Sequence, residues 1–342
     1  MSKLFKLYGE DIAIDLGTSN VLLGTSKNKI LINEPSVVAL NVNNYDIVAV
    51  GKEASDMIGK TPENILAVTP IEEGVIADFQ TAQAMMTYII RKAISNYFLF
   101  QPRLIITIPS SLTDVEKRAV KDVAFHSGAR EVFLIEETIA TAVGLGLDVE
   151  KPMGHLIVNA GGGTVDVSVV SLNGIVCSKS IKMGGEKIDK DIVSLIKRQF
   201  NLSIGMSTAE EIKIKIATLN KYNEDKSIVI SGKNVITGMP ENAKVYAKDL
   251  INIIYPIALD IIDAIRTVLE KTPPELAGDI GRSGLYLAGG LGQLNGLKEF
   301  ISNELRLGVN LANQPMKCTC IGCLLYFLKN IKFYKNKKGK IV

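Results

Sequence analysis

Tryptophan is absent from this 342-residue sequence, histidine occurs twice and cysteine four times. No apolar run reaches the roughly 18 residues that a membrane-crossing helix needs, so nothing in the chain is expected to span a bilayer. The start, MSKLFKLYGEDIAID, has neither a long apolar segment nor a small-residue cleavage site, and it does not read as a secretion signal. A dominant charge is missing too: a formal net charge of +3 is too mild to argue for nucleic acid as a partner. The shortage of cysteine and histidine argues against a zinc site. Cys318, Cys320 and Cys323 cluster in CTCIGC, but Cys177 is distant and no histidine lies nearby to complete four ligands. Buried thiols in a reducing cytoplasm fit them better.

What remains is a normal globular balance, 47% apolar and 22% charged, which leaves no room for extensive disorder. The length suggests two domains or one large α/β unit. Much of the positive excess lies in FLKNIKFYKNKKGKIV, where Lys329, Lys332, Lys335, Lys337, Lys338 and Lys340 alternate with apolar residues. Such a tail reads either as a solvated end or as a source of weak attraction to an anionic membrane.

Glycine is concentrated in one stretch, Ile157-Val158-Asn159-Ala160-Gly161-Gly162-Gly163-Thr164-Val165-Asp166-Val167. Three successive positions without side chains mean a tight turn, or a large polar group touching bare backbone, or both. The stretch has an earlier counterpart, Ile12-Ala13-Ile14-Asp15-Leu16-Gly17-Thr18-Ser19-Asn20-Val21. With Asp15 laid on Asn159, Gly17 falls on Gly161, and each copy reads as strand, turn, strand. A dinucleotide fingerprint or a P-loop would open a helix after the glycines, whereas Val165, Val167 and Val169 continue a strand. Two such hairpins, one opening each half, suggest related domains whose tips face each other and grip a polyphosphate.

Between the copies, Leu104–Ile108 reads as a buried strand and Thr113-Asp114-Val115-Glu116 as the capped start of a helix. The strand Val132–Ile135 delivers Glu136 and Glu137 at its carboxyl end, where chemistry collects in α/β sheets. Thr208-Ala209-Glu210-Glu211 has capping-box spacing. A long helix through Ile257–Leu269 is expected to stop at Pro273-Pro274, and Leu285–Ala288 reads as a strand entering Gly289-Gly290-Leu291-Gly292.

The ordered motifs DLGTSN, IEET, NAGGGT, AEEIK and AGGLG resemble those of the actin-like ATPase superfamily. Within it the chain resembles the MreB family of bacterial actins nearly end to end, through NEPSVVAL, GVIADF, PRLIITIPSSLTDVEKRAV, GAREVFLIEE, MGGEKID, TGMP and TPPELAGDI. The resemblance implies an α/β actin-like ATPase fold of two related domains, each a mixed sheet flanked by helices, with nucleotide in the cleft between them. Residues 1–150 plus 320–342 would form one domain, with a small subdomain at about 33–70. Residues 151–319 would form the other, with a small subdomain at about 185–247.

The resemblance also implies roles. Thr18, Ser19 and Asn20 match the first phosphate loop, and Gly161, Gly162, Gly163 and Thr164 the second. Glu210 and Lys213 match the pair beside ribose and adenine, and Gly289, Gly290, Leu291 and Gly292 the adenosine motif. Glu137 matches the carboxylate that orients the attacking water, with Thr164 its partner, and Asp15 an acid near magnesium. Asn159 stands where the family has Asp, which would weaken a water-mediated hold on Mg2+. Thr138 replaces a proline and Leu291 a glycine.

The implied activity is ATP binding with magnesium and slow hydrolysis coupled to filament assembly, in a cytoplasmic protein at the inner face of the membrane that maintains cell shape or drives motility. Its expected partners are copies of itself, an anionic membrane, and other paralogues of the family or cell-shape proteins. Wall-less helical bacteria carry divergent copies of this kind, and an Ile-, Asn- and Lys-rich composition suits an AT-rich genome. A scaffold that polymerises without turnover stays open because of Asn159. A small-molecule kinase of the same fold would need an inserted substrate region, which the chain lacks, and a chaperone would need a peptide-binding domain after the adenosine motif. Val115 falls on the family's lateral filament face, or else packs against its own helix start. Tyr97, Phe98, Leu99 and Phe100 either continue a helix into the core or form a membrane-inserting loop.

Overall fold

In the computed structural model, which describes residues 10–26, 30–94, 101–220 and 223–336, with side chains through 330, the chain builds the same sheet twice. Asp11–Leu16 (β1), Asn20–Thr25 (β2) and Ile32–Pro35 (β3) form a meander. Val38–Asn41 (β4), Ile47–Val50 (β5) and Ile65–Val68 (β6) make a separate three-stranded sheet beside the helix Lys52–Met57 (α1). A tight hairpin, Ile71–Glu72 (β7) and Val75–Ile76 (β8), precedes the helix Phe79–Ala93 (α2). Arg103–Ile108 (β9), Asp114–His126 (α3), Glu131–Glu136 (β10) and Glu137–Gly144 (α4) follow.

A second meander comprises His155–Ala160 (β11), Val165–Ser171 (β12) and Gly174–Ile181 (β13). Next come Gly185–Phe200 (α5), Leu202–Ser203 (β14), Met206–Ile216 (α6), Ser227–Asn234 (β15) and Pro240–Tyr246 (β16), whose three strands pair with one another. Ile251–Glu270 (α7), Pro274–Ser283 (α8), Leu285–Ala288 (β17), Leu297–Leu305 (α9), Val309–Leu311 (β18) and Cys318–Asn336 (α10) complete the chain.

The large sheets run β3-β2-β1-β9-β10 and β13-β12-β11-β17-β18. Each is an antiparallel meander extended by two parallel strands from its first strand. The hairpin repeat in the sequence is thus a repeat of topology, with β1–β2 and β11–β12 in equivalent places. β9 is buried at all six residues, as a parallel strand covered on both faces must be.

Local signals placed several elements. Thr113 accepts from the Glu116 amide while Glu116 accepts from the Thr113 amide, the reciprocal cap expected for α3. Prolines end α7 as expected, Pro274 then opening α8 at its first turn. The capping-box spacing at Thr208 does not mark a helix start, because α6 begins at Met206 after Gly205. Its apolar residues Ala209, Ile212 and Ile216 set the register instead.

Two separate cores fill the outer sides of the sheets, and a third lies between them. This shared core takes Ala13 and Ile105 from the first sheet, Ile157 and Val170 from the second, Ile139 and Ala140 from α4, and Leu324 and Phe327 from α10. Cys318, Cys320 and Cys323 are buried on α10, and burial holds their thiols well above the ordinary range. They are packing residues, and no three His, Cys, Asp or Glu side chains converge on a metal-sized space among the described residues. No described helix is long and apolar enough to cross a membrane.

The α4–α10 crossing is close because Gly322 lies against the Ala140 carbonyl and the Gly144 amide, where an added Cβ would overlap both. Gly322→Ala should therefore destabilise the fold by about 1–3 kcal/mol or more, as overpacking does. Denaturant unfolding checks this; an unchanged midpoint would mean that the helices separate freely.

Candidate functional site

A cavity of about 580 Å³ opens between the two large sheets. The turn after β1 and the turn after β11 form opposite walls, and Glu137, at the start of α4, closes the inner end. Thr18, Ser19, Asn20, Gly161, Gly162, Gly163, Thr164, Asp15, Asn159 and Glu137 all line it. So do Glu210, Lys213, Gly289, Gly290 and Leu291 toward its outer end. Gly292 does not: it is buried against Leu287, beneath the turn.

The glycines have a steric reason. A Cβ on Gly162 would collide with the Ser19 hydroxyl, and one on Gly163 with the Thr18 hydroxyl. The two turns thus touch across the cleft, side chain against bare backbone. Ser19 also donates to Glu186 Oε1 at 2.8 Å, and Thr18 accepts from the Gly74 amide in the β7–β8 turn at 3.2 Å. The carbonyls of Gly161 and Gly162 are taken by the amides of Gly185 and Glu186 at the start of α5. This fixes the loop, and bare amides beside hydroxyls at such a turn suit a polyanion.

Near the inner end lie three carboxyls, Glu137 and Asp166 buried and Asp15 half-buried. Asp15 accepts from the Thr107 hydroxyl at 2.6 Å, and burial pushes its pKa up to about 6 despite that bond. Glu137 lies well above the usual carboxylate range, first through burial and then through the charges of Asp166 and Asp15, with the Asn159 hydrogen bond opposing. Burial also raises Asp166, against the Ser110 amide and hydroxyl that donate to it.

Asn159 makes a contact that the sequence did not announce. Its amide nitrogen donates to Glu137 Oε2 at 2.8 Å, since a carboxylate offers only acceptors to it. Lys213 is also committed elsewhere: its ammonium binds Asp189 Oδ2 at 2.6 Å and the Gly185 carbonyl at 3.1 Å, tying α6 to α5. Glu210 is exposed at the rim. Sequence reasoning missed Asp166, Glu186 and Asp189. A lone acid in the buried run Val165-Asp166-Val167 was a visible signal for the first, whereas the other two look like ordinary helix-surface residues until α5 is packed against the turn.

The carboxyl group set fits a divalent cation held partly through water and by a bound polyanion. Asp15 and Asn159 line the cavity, while the protein alone supplies no complete cage among the described residues. Val115, expected to pack or to face outward, is 78% exposed. Tyr97, Phe98, Leu99 and Phe100 lie outside the described residues.

A carboxyl whose pKa is higher folded than unfolded binds extra protons when folded, so folding loses stability as pH rises through that interval. For Asp15 the interval runs from 3.8 to about 6, and the full cost is present at neutral pH. Asp15→Asn keeps an acceptor for Thr107 and removes the charge. It should stabilise the nucleotide-free chain by ~1–3 kcal/mol above neutral pH and by little near pH 4. Thermal melts at both pH values check this; equal gains, or none, would contradict the assignment.

The chain is similar to proteins of known kind along nearly its whole length. A family profile described as MreB/Mbl protein matches residues 9–336. The cell shape-determining protein Mbl of Bacillus subtilis is 42% identical over 316 residues, covering 92% of this chain and 95% of that protein. The cell shape-determining protein MreB of Escherichia coli K12 is 38% identical over 328 residues, covering 94% of each. The crystal structure of MreB5 of Spiroplasma citri bound to ADP superposes with a TM-score of 0.90 at 36% identity, covering 96% of this chain and 99% of that one. The same protein bound to AMPPNP gives 0.89. The paired hairpin turns, the repeated sheet and these similarities together place the chain in the MreB/Mbl family, with the actin-like ATPase fold.

Proposed function

We propose that the chain binds ATP with magnesium in the cleft, polymerises into membrane-associated filaments and hydrolyses the nucleotide slowly, serving cell shape or motility from the inner face of the membrane. The observation that carries this reading is the convergence of Glu137, Asn159 and Thr164 at the closed end of a cleft walled by two touching turns. Residues 1–150 with 320–342 and residues 151–319 act as the two domains, the small sheets belonging to their outer subdomains at about 33–70 and 185–247.

The phosphates sit between Thr18-Ser19-Asn20 and Gly161–Thr164, whose hydroxyls and amides replace lost hydration. The adenosine lies toward Gly289, Gly290 and Leu291, with Glu210 at its rim and Lys213 bracing the wall. Magnesium, when bound, neutralises phosphate charge, and Asp15 with the Asn159 oxygen is the group that would hold it through water. Glu137 and Thr164 orient a water toward the terminal phosphorus. The raised pKa of Glu137 suits a group that accepts a proton late, and the neighbouring Asn159 amide keeps one oxygen fixed. That same hydrogen bond favours the second reading, a polymerising scaffold with little turnover, because it ties up one oxygen of the water-orienting carboxylate.

Filament growth is head-to-tail, a heterologous contact that does not close on itself. The lateral contact is centred on Val115, the second residue of α3, whose side chain is largely exposed. Membrane attachment rests on Tyr97–Phe100 and the basic tail, each weak alone and multiplied along a filament.

Glu137→Ala should lower phosphate release by about 10²-fold or more, with nucleotide affinity nearly kept. Unchanged release would remove Glu137 from the mechanism, and no release from the wild-type chain would favour the scaffold. Val115→Glu should give long single protofilaments in place of pairs by electron microscopy, with an unchanged circular dichroism spectrum. Paired filaments in that variant would place the lateral contact elsewhere.

A further inference from the structure

One face of β12 is apolar, Val165, Val167 and Val169 filling the core of the second sheet. Its other face turns toward the first half, and there Asp166 and Ser168 are polar while Val170 joins the shared core. Asp166 accepts from the Ser110 amide at 3.2 Å and hydroxyl at 3.1 Å, and Ser168 accepts from Thr138 at 3.0 Å. Asn159, directly opposite Asp166 on β11, donates to Glu137. The halves are thus joined near the site by a short row of buried hydrogen bonds.

Asp166 is the charged member of this row and is 0% exposed. One of its oxygens, Oδ2, has no hydrogen-bond partner, although the Thr164 and Ser180 hydroxyls lie near enough to favour its ionised form. A buried carboxylate left half-satisfied costs stability, and a valine would remove that cost while leaving the half-buried Ser110 amide and hydroxyl to find another acceptor. The acid therefore answers to something other than folding. Its position suggests what: Ser110 follows Pro109 at the end of β9 and leads to the Thr113 cap of α3, while Thr164 lies two residues away in the glycine turn.

We propose that Asp166 is a positioning residue that latches the Ser110 loop of the first half to the Thr164 turn of the second, aligning Thr164 and holding the cleft closed around a nucleoside triphosphate. The proposal rests on the reading of the cleft as an ATP site. The triphosphate draws the Thr164 turn inward, Asp166 carries the Ser110 loop with it, and the start of α3 follows. A diphosphate leaves the Thr164 turn without its partner, and the latch loosens.

The test uses the full chain with Asp166→Val, Asp166→Asn, Ser110→Ala and the double variant Ser110→Ala/Asp166→Val. Affinities for magnesium-ADP and magnesium-AMPPNP are measured by fluorescence titration, hydrolysis by single-turnover phosphate release, and stability by thermal melts. Asp166→Val should melt no lower than the wild type, yet lose about fivefold or more of its preference for AMPPNP over ADP. Its turnover should fall roughly ten- to a hundredfold, as for a misplaced water-holding group. Asp166→Asn, which keeps an acceptor for Ser110, should recover most of both, and the double variant should be no worse than Asp166→Val. Wild-type preference and turnover in Asp166→Val would overturn the latch while leaving the ATP site intact. So would unfolding of Asp166→Val with normal values in Ser110→Ala, which would make the acid purely structural. Failure of the wild type to bind either nucleotide would sink the cleft reading and the latch with it.

Discussion

The turns Gly17–Asn20 and Gly161–Thr164 approach until hydroxyls meet bare α carbons, Ser19 on Gly162 and Thr18 on Gly163. Glycine is common in hairpin turns for its backbone freedom, and at Gly162 and Gly163 this contact requires it as well. The spacing of the sheets, the depth of the cavity and the inward placement of Glu137 are all set by how closely the tips come together. Glu186 reinforces the approach from α5 by accepting from Ser19. The shared core of α4 and α10 holds the sheets together at the base of the cleft, so the tips form a jaw and the helices its joint.

The same closeness creates an electrostatic burden. Asp15, half-buried, and the buried Glu137 and Asp166 share one region, and desolvation is the main cause of the upward displacement of each. Neighbouring hydroxyls and one amide soften this without cancelling it. Left alone, such a group favours protonation, and a bound cation would reverse that preference by supplying the missing counter-charge. Asn159 changes the arithmetic. An aspartate there would put a further carboxylate at hydrogen-bond distance from Glu137, whereas the amide donates to it.

Features governed by neighbours in sequence were legible in advance. The hairpin repeat, the α3 cap and the β9 strand follow from short-range pattern, and they are as expected. The contents of the two facing turns were legible because residue type and turn coincide there. Features governed by facing direction were not. Nothing in AGGLG tells that Gly292 points at Leu287 while Gly290 lines the cavity. Lys213 reads as an open cation until Asp189, a residue of another helix, is found against it. Thr208 imitates a cap, but the apolar spacing of α6 carries the helix one turn earlier. Asp166 stands out in sequence as a single acid among valines, but its role does not, because its partner Ser110 comes from the other half.

The proposed seating of a polyphosphate between the two turns requires bare backbone that lets them close. Titration of folded Gly162→Ala with magnesium-AMPPNP tests this most directly, since the added methyl group would meet Ser19 and hold the jaw open. Binding should weaken by about 10²-fold or more while the circular dichroism spectrum is unchanged. Wild-type affinity in that variant would contradict the account and place the nucleotide's grip outside the paired turns.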